Sequence, residues 1–345
     1  MIKPQIAKIL GEEDLTVEEA KSAMQSIMRG EATPAQIGGY LIALRMKGET
    51  VDEITGSAQA MRANSSSVPD VAGGEQLLDT AGTGGDGAHT FNISTAAAFV
   101  IAGCGLKVAK HGNRAASSKC GSADVLEALG VEIELEPEQV AASIQEIGFG
   151  FFYAPKFHPA MKHAIGPRRE LGQRTIFNVL GPLTNPAGAS HQLIGVYDPA
   201  LTEPLAEVLN ALGTKAALVV HGPDGLDEMS TQGPNRVSHL HQNHVTTFEL
   251  DATELGLRPA SLDELHGGDP ELNATMMRDL LAGDDQSPRR DVVLLNAAAA
   301  LATEDGDFER ALVQAKTSLD EGKALEKLEQ LIVFSRRVSS KEAAE

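Results

Sequence analysis

Hydrophobic positions recur at two different spacings along the chain. From residue 1 to about residue 65 they return every three or four residues, the mark of helices with one buried face. In TVEEAKSAMQSIMRG, residues Ala20, Ala23, Met24, Ile27 and Met28 share such a face, and the spacing of Thr16 to Glu19 predicts a capping box. TPAQIGGYLIALRMKG places Thr33 before a first-turn proline, Pro34, and the helix should stop near Gly48. TVDEITGSAQAM repeats the Thr-x-x-Glu start with Thr50 and Glu53. After the polar loop or hinge NSSSVPDVAGG, residues 64 to 74, the period changes. Short apolar runs, QLLDTAG, LKVAKHG, GFGFFYA, HQLIGVYD and KAALVVHG, alternate with helical stretches such as the one from about Ser94, GSADVLEALG and PLAEVLNALG. This alternation predicts an α/β fold with a central, largely parallel sheet covered by helices.

The expected organisation is therefore a small all-helical domain over 1–70 and a larger α/β domain over 75–345. The stretch RRELGQRTIFNVLGPLTNPAG, residues 168 to 188, interrupts the alternation and is expected to pack back on the helical part. The last hundred residues mix strand-like HVTTFEL with helical RDVVLLNAAAALAT and EKLEQLIVFSRRV. A length of 345 residues also favours about two domains.

Ligands of open α/β sheets gather beyond the carboxyl ends of the strands, and three unusual loops fall there. The first, DTAGTGGDG, gives up side chains where bare backbone must approach something, and Thr90, Asn92, Ser94 and Thr95 follow it at a helix start. Exposed N–H groups and the positive dipole end favour an anion at such a place. GTGGDG is neither a dinucleotide fingerprint nor a Walker loop, and alone it is equally an ordinary turn. The second loop, KHGNRAASSKCGS, carries Lys110, His111, Arg114 and Lys119 beside Ser117, Ser118 and Ser122, a set of cations suited to a polyphosphate. The third, HGPDGLDEMS, offers Asp227 and Glu228, and Mg²⁺ bound to a polyphosphate is commonly held by one or two carboxylates.

Charge narrows the partner. Forty-eight acidic against 29 basic residues give a net charge of −19, which repels nucleic acid and anionic membranes and leaves small-molecule substrates favoured. Screening confines this repulsion to about 10 Å, so local cations can still hold a phosphate. Cys104 and Cys120 form no metal or disulfide spacing, and no apolar leader or membrane-length run is present, so a cytoplasmic location is expected. HLHQNH, with His239, His241 and His244, is read as a strand rather than a metal site, alternation putting two of the three on one face. GPRRELGQR, with Arg168, Arg169 and Arg174, is surface charge or an arginine fork for a carboxylate.

The ordered set DTAGTGGDG, FNIST, KHGNRAASSKCGSADVLEALG, RRELGQRTIFNVLGPLTNPAG and DGLDEMSTQGP resembles the anthranilate phosphoribosyltransferases of tryptophan biosynthesis, over essentially the whole chain. The resemblance implies a homodimer with the active site in the cleft between the two domains of each subunit. It implies transfer of phosphoribose from phosphoribosyl pyrophosphate to the amine of anthranilate with Mg²⁺, two ions per subunit. Matching positions imply a phosphoribosyl pyrophosphate site at Gly82, Gly85, Asp86, Thr90, Asn92, Ile93, Ser94, Thr95, Lys110, His111, Gly112, Asn113, Arg114, Ala115, Ala116, Ser117, Ser118 and Ser122. They imply metal ligands at Ser94, Asp227 and Glu228, an anthranilate site at Gly82, Asn113 and Arg168, and direct roles in the reaction for Lys110, Asn113 and Arg168. Cys120 departs from the serine common in the family. The rival functions are a pyrimidine nucleoside phosphorylase, whose serine-glycine-arginine loop is missing here, and a non-catalytic relative binding nucleic acid, which the charge opposes.

Overall fold

The computed structural model describes residues 2–115 and 118–342, so Ala116 and Ser117 of the predicted site lie outside the described residues. Four helices open the chain: α1 (Lys3–Leu10), α2 (Val17–Met28), α3 (Pro34–Lys47) and α4 (Val51–Ala63). Thr16, Thr33 and Thr50 cap α2, α3 and α4, each in a reciprocal capping box with Glu19, Gln36 and Glu53. These caps satisfy amides that the first turn would otherwise leave unpaired. Glu53 does more: fully buried, it accepts from the Leu15 N–H at 3.0 Å and from Lys47 Nζ at 3.0 Å, tying the α1–α2 link to α3 and α4.

The bundle does not close on its own. The helix Lys162–Leu171 packs on α3 and α2, and its apolar cluster takes in Ala164, Ile176, Phe177, Leu180 and Leu183 from beyond residue 160. The same cluster continues through Leu205, Val208 and Val219 to one face of the sheet.

Seven strands form that sheet: β1 (Leu77–Gly82), β2 (Lys107–Gly112), β3 (Phe149–Tyr153), β4 (His191–Gly195), β5 (Ala216–His221), β6 (Pro234–His241) and β7 (His244–Asp251), in the order β3-β2-β1-β4-β5-β6-β7. The first five are parallel, while β6 and β7 run antiparallel. The helix α5 (Ile93–Gly103) is apolar on nearly every side and is buried throughout most of its length, with Phe99 stacked 4.5 Å from Phe149. Such an all-round apolar helix belongs inside a layer of other elements, and helices from the last sixty residues cover it.

The HLHQNH stretch is a hairpin rather than one strand. Gln242 and Asn243 take positive φ of 50° and 61°, so His244 faces His241 across the turn. His239 and His241 share a face of β6, their rings stacked at 5.6 Å. No helix among the described residues is long and apolar enough to cross a membrane.

Strand order places the site. The chain leaves β1 for β2 and β3 on one side, and then for β4 and β5 on the other. The crevice at the carboxyl ends of β1 and β4 is thus the switch point where open α/β sheets bind ligands.

Candidate active site

At that crevice Gly82 ends β1 and pairs with Gly195, which ends β4. Both are glycine for one reason. A Cβ on Gly195 would lie 1.6 Å from the Asp227 carbonyl oxygen, and one on Gly82 would lie 2.4 Å from Asp227 Oδ2. The loop after β5 rests on these two bare positions, and the acids predicted from DGLDEMS thereby reach the glycine loop. The Gly84 N–H donates to Asp227 Oδ2 at 2.6 Å, and the Ser94 N–H, in the first turn of α5, donates to Glu228 Oε1 at 3.2 Å.

The sequence predicts an anion at those amides; in the structure they donate to the protein's own Asp227 and Glu228 side chains. Asn92 precedes α5 without capping it. Its Nδ2 donates to the Cys120 carbonyl at 3.2 Å and its Oδ1 accepts from Asn273 Nδ2 at 2.9 Å, tying α5 to the second loop. Thr90 forms an isolated bridge with His266, and Thr95 is buried.

Charges crowd here. Burial first, then Asp86 and Glu228 nearby, hold the Asp227 carboxyl well above the usual carboxylate range. Burial pushes Glu228 up to about 7 against the opposing pull of Lys110. Lys110 itself is buried within β2, donating from Nζ to the Thr80 carbonyl at 2.7 Å and reaching Ser94 Oγ at 3.4 Å. Burial draws its ammonium below the ordinary lysine range, opposed by Asp79 and Glu228.

Carboxylates that repel one another out of water are a fitting environment for a divalent cation. Among the described residues no group of three His, Cys, Asp or Glu side chains could hold an ion by itself. Asp227 and Glu228 with the Ser94 hydroxyl suit Mg²⁺, which takes few protein ligands and completes its shell with water and phosphate oxygens.

The second loop divides. Asp124 holds its two ends together, accepting from the Ala115 N–H at 2.9 Å and the Gly121 N–H at 2.8 Å. Arg114 is not free for a phosphate: it pairs with Glu127 and with Asp124 at 3.1 Å, and donates to the Tyr153 hydroxyl at 3.2 Å. Asn113 and Ser118 are exposed. The Ser122 hydroxyl donates to the Asn113 carbonyl at 3.3 Å and sits where a Cβ on Gly112 would be. His111 is buried beside His158, ring centroids 5.0 Å apart. Burial drives His111 down to about 3, the neighbouring His158 adding to the effect, and drives His158 down to about 4.

Arg168 differs from Arg114. It projects from the helix Lys162–Leu171 with its guanidinium 4.9 Å over the Phe177 ring, half-buried and without a carboxylate partner among the described residues. Burial lowers its guanidinium below the usual range. A stacked, unpaired arginine is poised for an incoming carboxylate.

Two positions that support the site give little or no sign of it in the sequence. Asp79, in the middle of β1 and fully buried, accepts from the His111 N–H at 3.1 Å and from Asn185 Nδ2 at 2.8 Å. Burial raises its carboxyl to about 6, and Lys110 acts against the rise. It is the counter-charge that lets Lys110 exist there. The signal was present: a charged residue inside the apolar run QLLDTAG. Asn185 gave no such signal, since its partners, Asp79 and the Ala109 carbonyl at 2.7 Å, are remote in sequence.

A helical bundle feeding a sheet whose switch point gathers glycines, acids and a buried lysine defines a class. Residues 3–65 match the helical bundle domain of a glycosyl transferase family, and residues 74–325 match the α/β domain of a glycosyl transferase family. At 52% identity over 336 residues, 97% of this chain and 98% of the relative, the chain is similar to anthranilate phosphoribosyltransferase of Moorella thermoacetica. At 54% over 339 residues it is similar to that of Roseiflexus sp.. Among solved structures, anthranilate phosphoribosyltransferase of Thermus thermophilus superposes with a TM-score of 0.90 at 44% identity, covering 96% of this chain and 99% of that one. The Saccharomyces cerevisiae enzyme in complex with PRPP and Mg gives 0.87 at 29% identity, covering 97% and 98%. The chain belongs to the anthranilate phosphoribosyltransferase family.

Proposed function

We propose that this chain transfers the phosphoribosyl group of phosphoribosyl pyrophosphate to the amine of anthranilate, releasing pyrophosphate in tryptophan biosynthesis. One observation carries the reading: the loops after β1 and β5 meet, with Asp227 on Gly84 and Glu228 on Ser94, and Lys110 of β2 reaches in between Thr80 and Ser94.

Departure of pyrophosphate from ribose C1 leaves positive charge on the sugar and negative charge on the leaving oxygens, so donors fixed beforehand near those oxygens lower the barrier most. Lys110 and those glycine-loop amides that Asp227 does not occupy are suited to be such donors. Mg²⁺ held by Asp227, Glu228 and Ser94 would neutralise diphosphate oxygens. An aromatic amine is already neutral at pH 7, which accounts for a reaction run without a strong general base. What the chain must still do is place the amine in line with C1. Arg168 is suited to this by gripping the anthranilate carboxylate, and the family resemblance assigns Asn113 and Gly82 to the same substrate. The helical bundle and the α/β domain form the two sides of that cleft, and we infer a cytoplasmic homodimer.

Anthranilate fluorescence tests the activity directly. Mixing protein, phosphoribosyl pyrophosphate and Mg²⁺ should extinguish it at a rate proportional to protein concentration. Persistent fluorescence together with phosphate-dependent cleavage of a pyrimidine nucleoside would replace this reading with a phosphorylase.

A further inference from the structure

The glycine loop has a third anchor that the proposed reaction does not use. Gly84, Gly85 and Gly87 hold positive φ of 68°, 81° and 76°, so these three positions bring no side chains of their own, and within the loop Asp86 Oδ1 accepts from the Ala88 N–H at 3.1 Å. Asp227 holds Gly84, and Thr83 is held to the end of β4: its N–H donates to the Gly195 carbonyl at 2.9 Å and its Oγ1 accepts from the Tyr197 N–H at 3.2 Å. The remaining contact comes from a side chain distant in sequence. Arg174 lies just past the helix Lys162–Leu171, its guanidinium carbon 4.2 Å above the centre of the Tyr197 ring, and its Nη2 donates to the Gly85 carbonyl. Arg174 is in no ion pair with a carboxylate among the described residues, so neither a surface ion pair nor the substrate carboxylate is needed to account for it.

We propose that Arg174 is a positioning residue for the diphosphate of the phosphoribosyl donor, an inference that rests on the reading of this site given above. The peptide joining Gly85 to Asp86 is trans, so its N–H points opposite to its C=O. Holding the Gly85 oxygen towards Arg174 turns the Asp86 N–H the other way. That N–H has no hydrogen-bond partner among the described residues, whereas the Gly84 N–H is occupied by Asp227. Arg174 thus presents a donor to the leaving group without touching it. The Tyr197 ring keeps the guanidinium flat and in place, a task lysine cannot do. Were Asp227 to ligate a metal ion instead of Gly84, Arg174 would still hold the loop at Gly85, beside Thr83 at its start.

The experiment compares wild type, Arg174→Ala, Arg174→Lys and Tyr197→Leu by steady-state kinetics, and by calorimetric binding of phosphoribosyl pyrophosphate with Mg²⁺ but without anthranilate. Loss of a hydrogen bond to a charged group predicts a rise of about tenfold or more in KM and Kd for phosphoribosyl pyrophosphate in Arg174→Ala, with KM for anthranilate changed less than about twofold. Arg174→Lys should recover little, Tyr197→Leu should move the same constants by less, and added guanidinium should partly restore Arg174→Ala. Equal rises for both substrates, a fall in kcat alone, or no change would overturn the assignment. Wild-type protein that binds no phosphoribosyl pyrophosphate would instead sink the reading of the site itself.

Discussion

Replacing Gly195 with alanine puts the packing of Asp227 on the strand ends to a direct test. The added methyl would stand 1.6 Å from the Asp227 carbonyl oxygen and 2.3 Å from its carbonyl carbon, both backbone atoms, where ordinary contact begins at 3.4 Å. The oxygen must therefore retreat by about 1.8 Å, the difference between those two distances, and no side-chain rotation can absorb that. Gly195 lies within a parallel strand bonded on both sides, paired with Gly82 and with Val220, so the strand is the less yielding partner. The loop carrying Asp227 and Glu228 moves instead, breaking the contact with Gly84 and shifting both carboxylates from Ser94 and Lys110. A displacement of about 1 Å at a reacting centre costs on the order of 100-fold in rate, and overpacking costs about 1–3 kcal/mol of stability. Gly195→Ala should thus lose at least about 100-fold in kcat/KM and need more Mg²⁺ for half-maximal rate, while remaining folded. Initial rates of anthranilate fluorescence loss across a Mg²⁺ series, with thermal unfolding in parallel, measure both effects. Wild-type rates and Mg²⁺ dependence in a folded variant would refute the placement of this loop.

Two further outcomes follow from single residues. Arg168→Ala should raise KM for anthranilate far more than KM for phosphoribosyl pyrophosphate, because its stacked guanidinium lacks any other acid partner among the described residues; parallel increases would remove it from the carboxylate site. His158 stays neutral in the fold until the pH nears 4, while the unfolded chain takes up its proton near 6.5. The unfolded state then binds more protons between those values, so stability falls on acidification, by roughly 3 kcal/mol for this group. His158→Asn should flatten the plot of unfolding free energy against pH by about one proton over that window, and superimposable slopes would count against its burial in neutral form.

Legibility in the sequence followed the range of the interaction that decides each feature. Thr16, Thr33 and Thr50 could be read as caps because the partner lies three residues away. The parallel strands could be read because each apolar run fits a buried strand. Residue types pointed to Asp227, Glu228 and Lys110, and the structure brings all three together with Ser94. What escaped depends on distant partners or subtle turns. Asp79 and Asn185 meet across 106 residues of sequence. The hairpin at Gln242 and Asn243 lacks the glycine that normally announces such a turn. Arg114 reads as a phosphate ligand until Asp124 and Glu127 are seen to hold it.

The apolar cluster beneath α1 to α4 borrows Ala164, Ile176, Phe177, Leu180 and Leu183 from a part of the chain reached only after three strands have formed. A protein cut after residue 65 would leave that greasy seam wet and invite clumping. Anyone grafting this module onto another scaffold must carry two discontinuous pieces of polypeptide, and a ribosome making it cannot finish the first domain until it has begun the second.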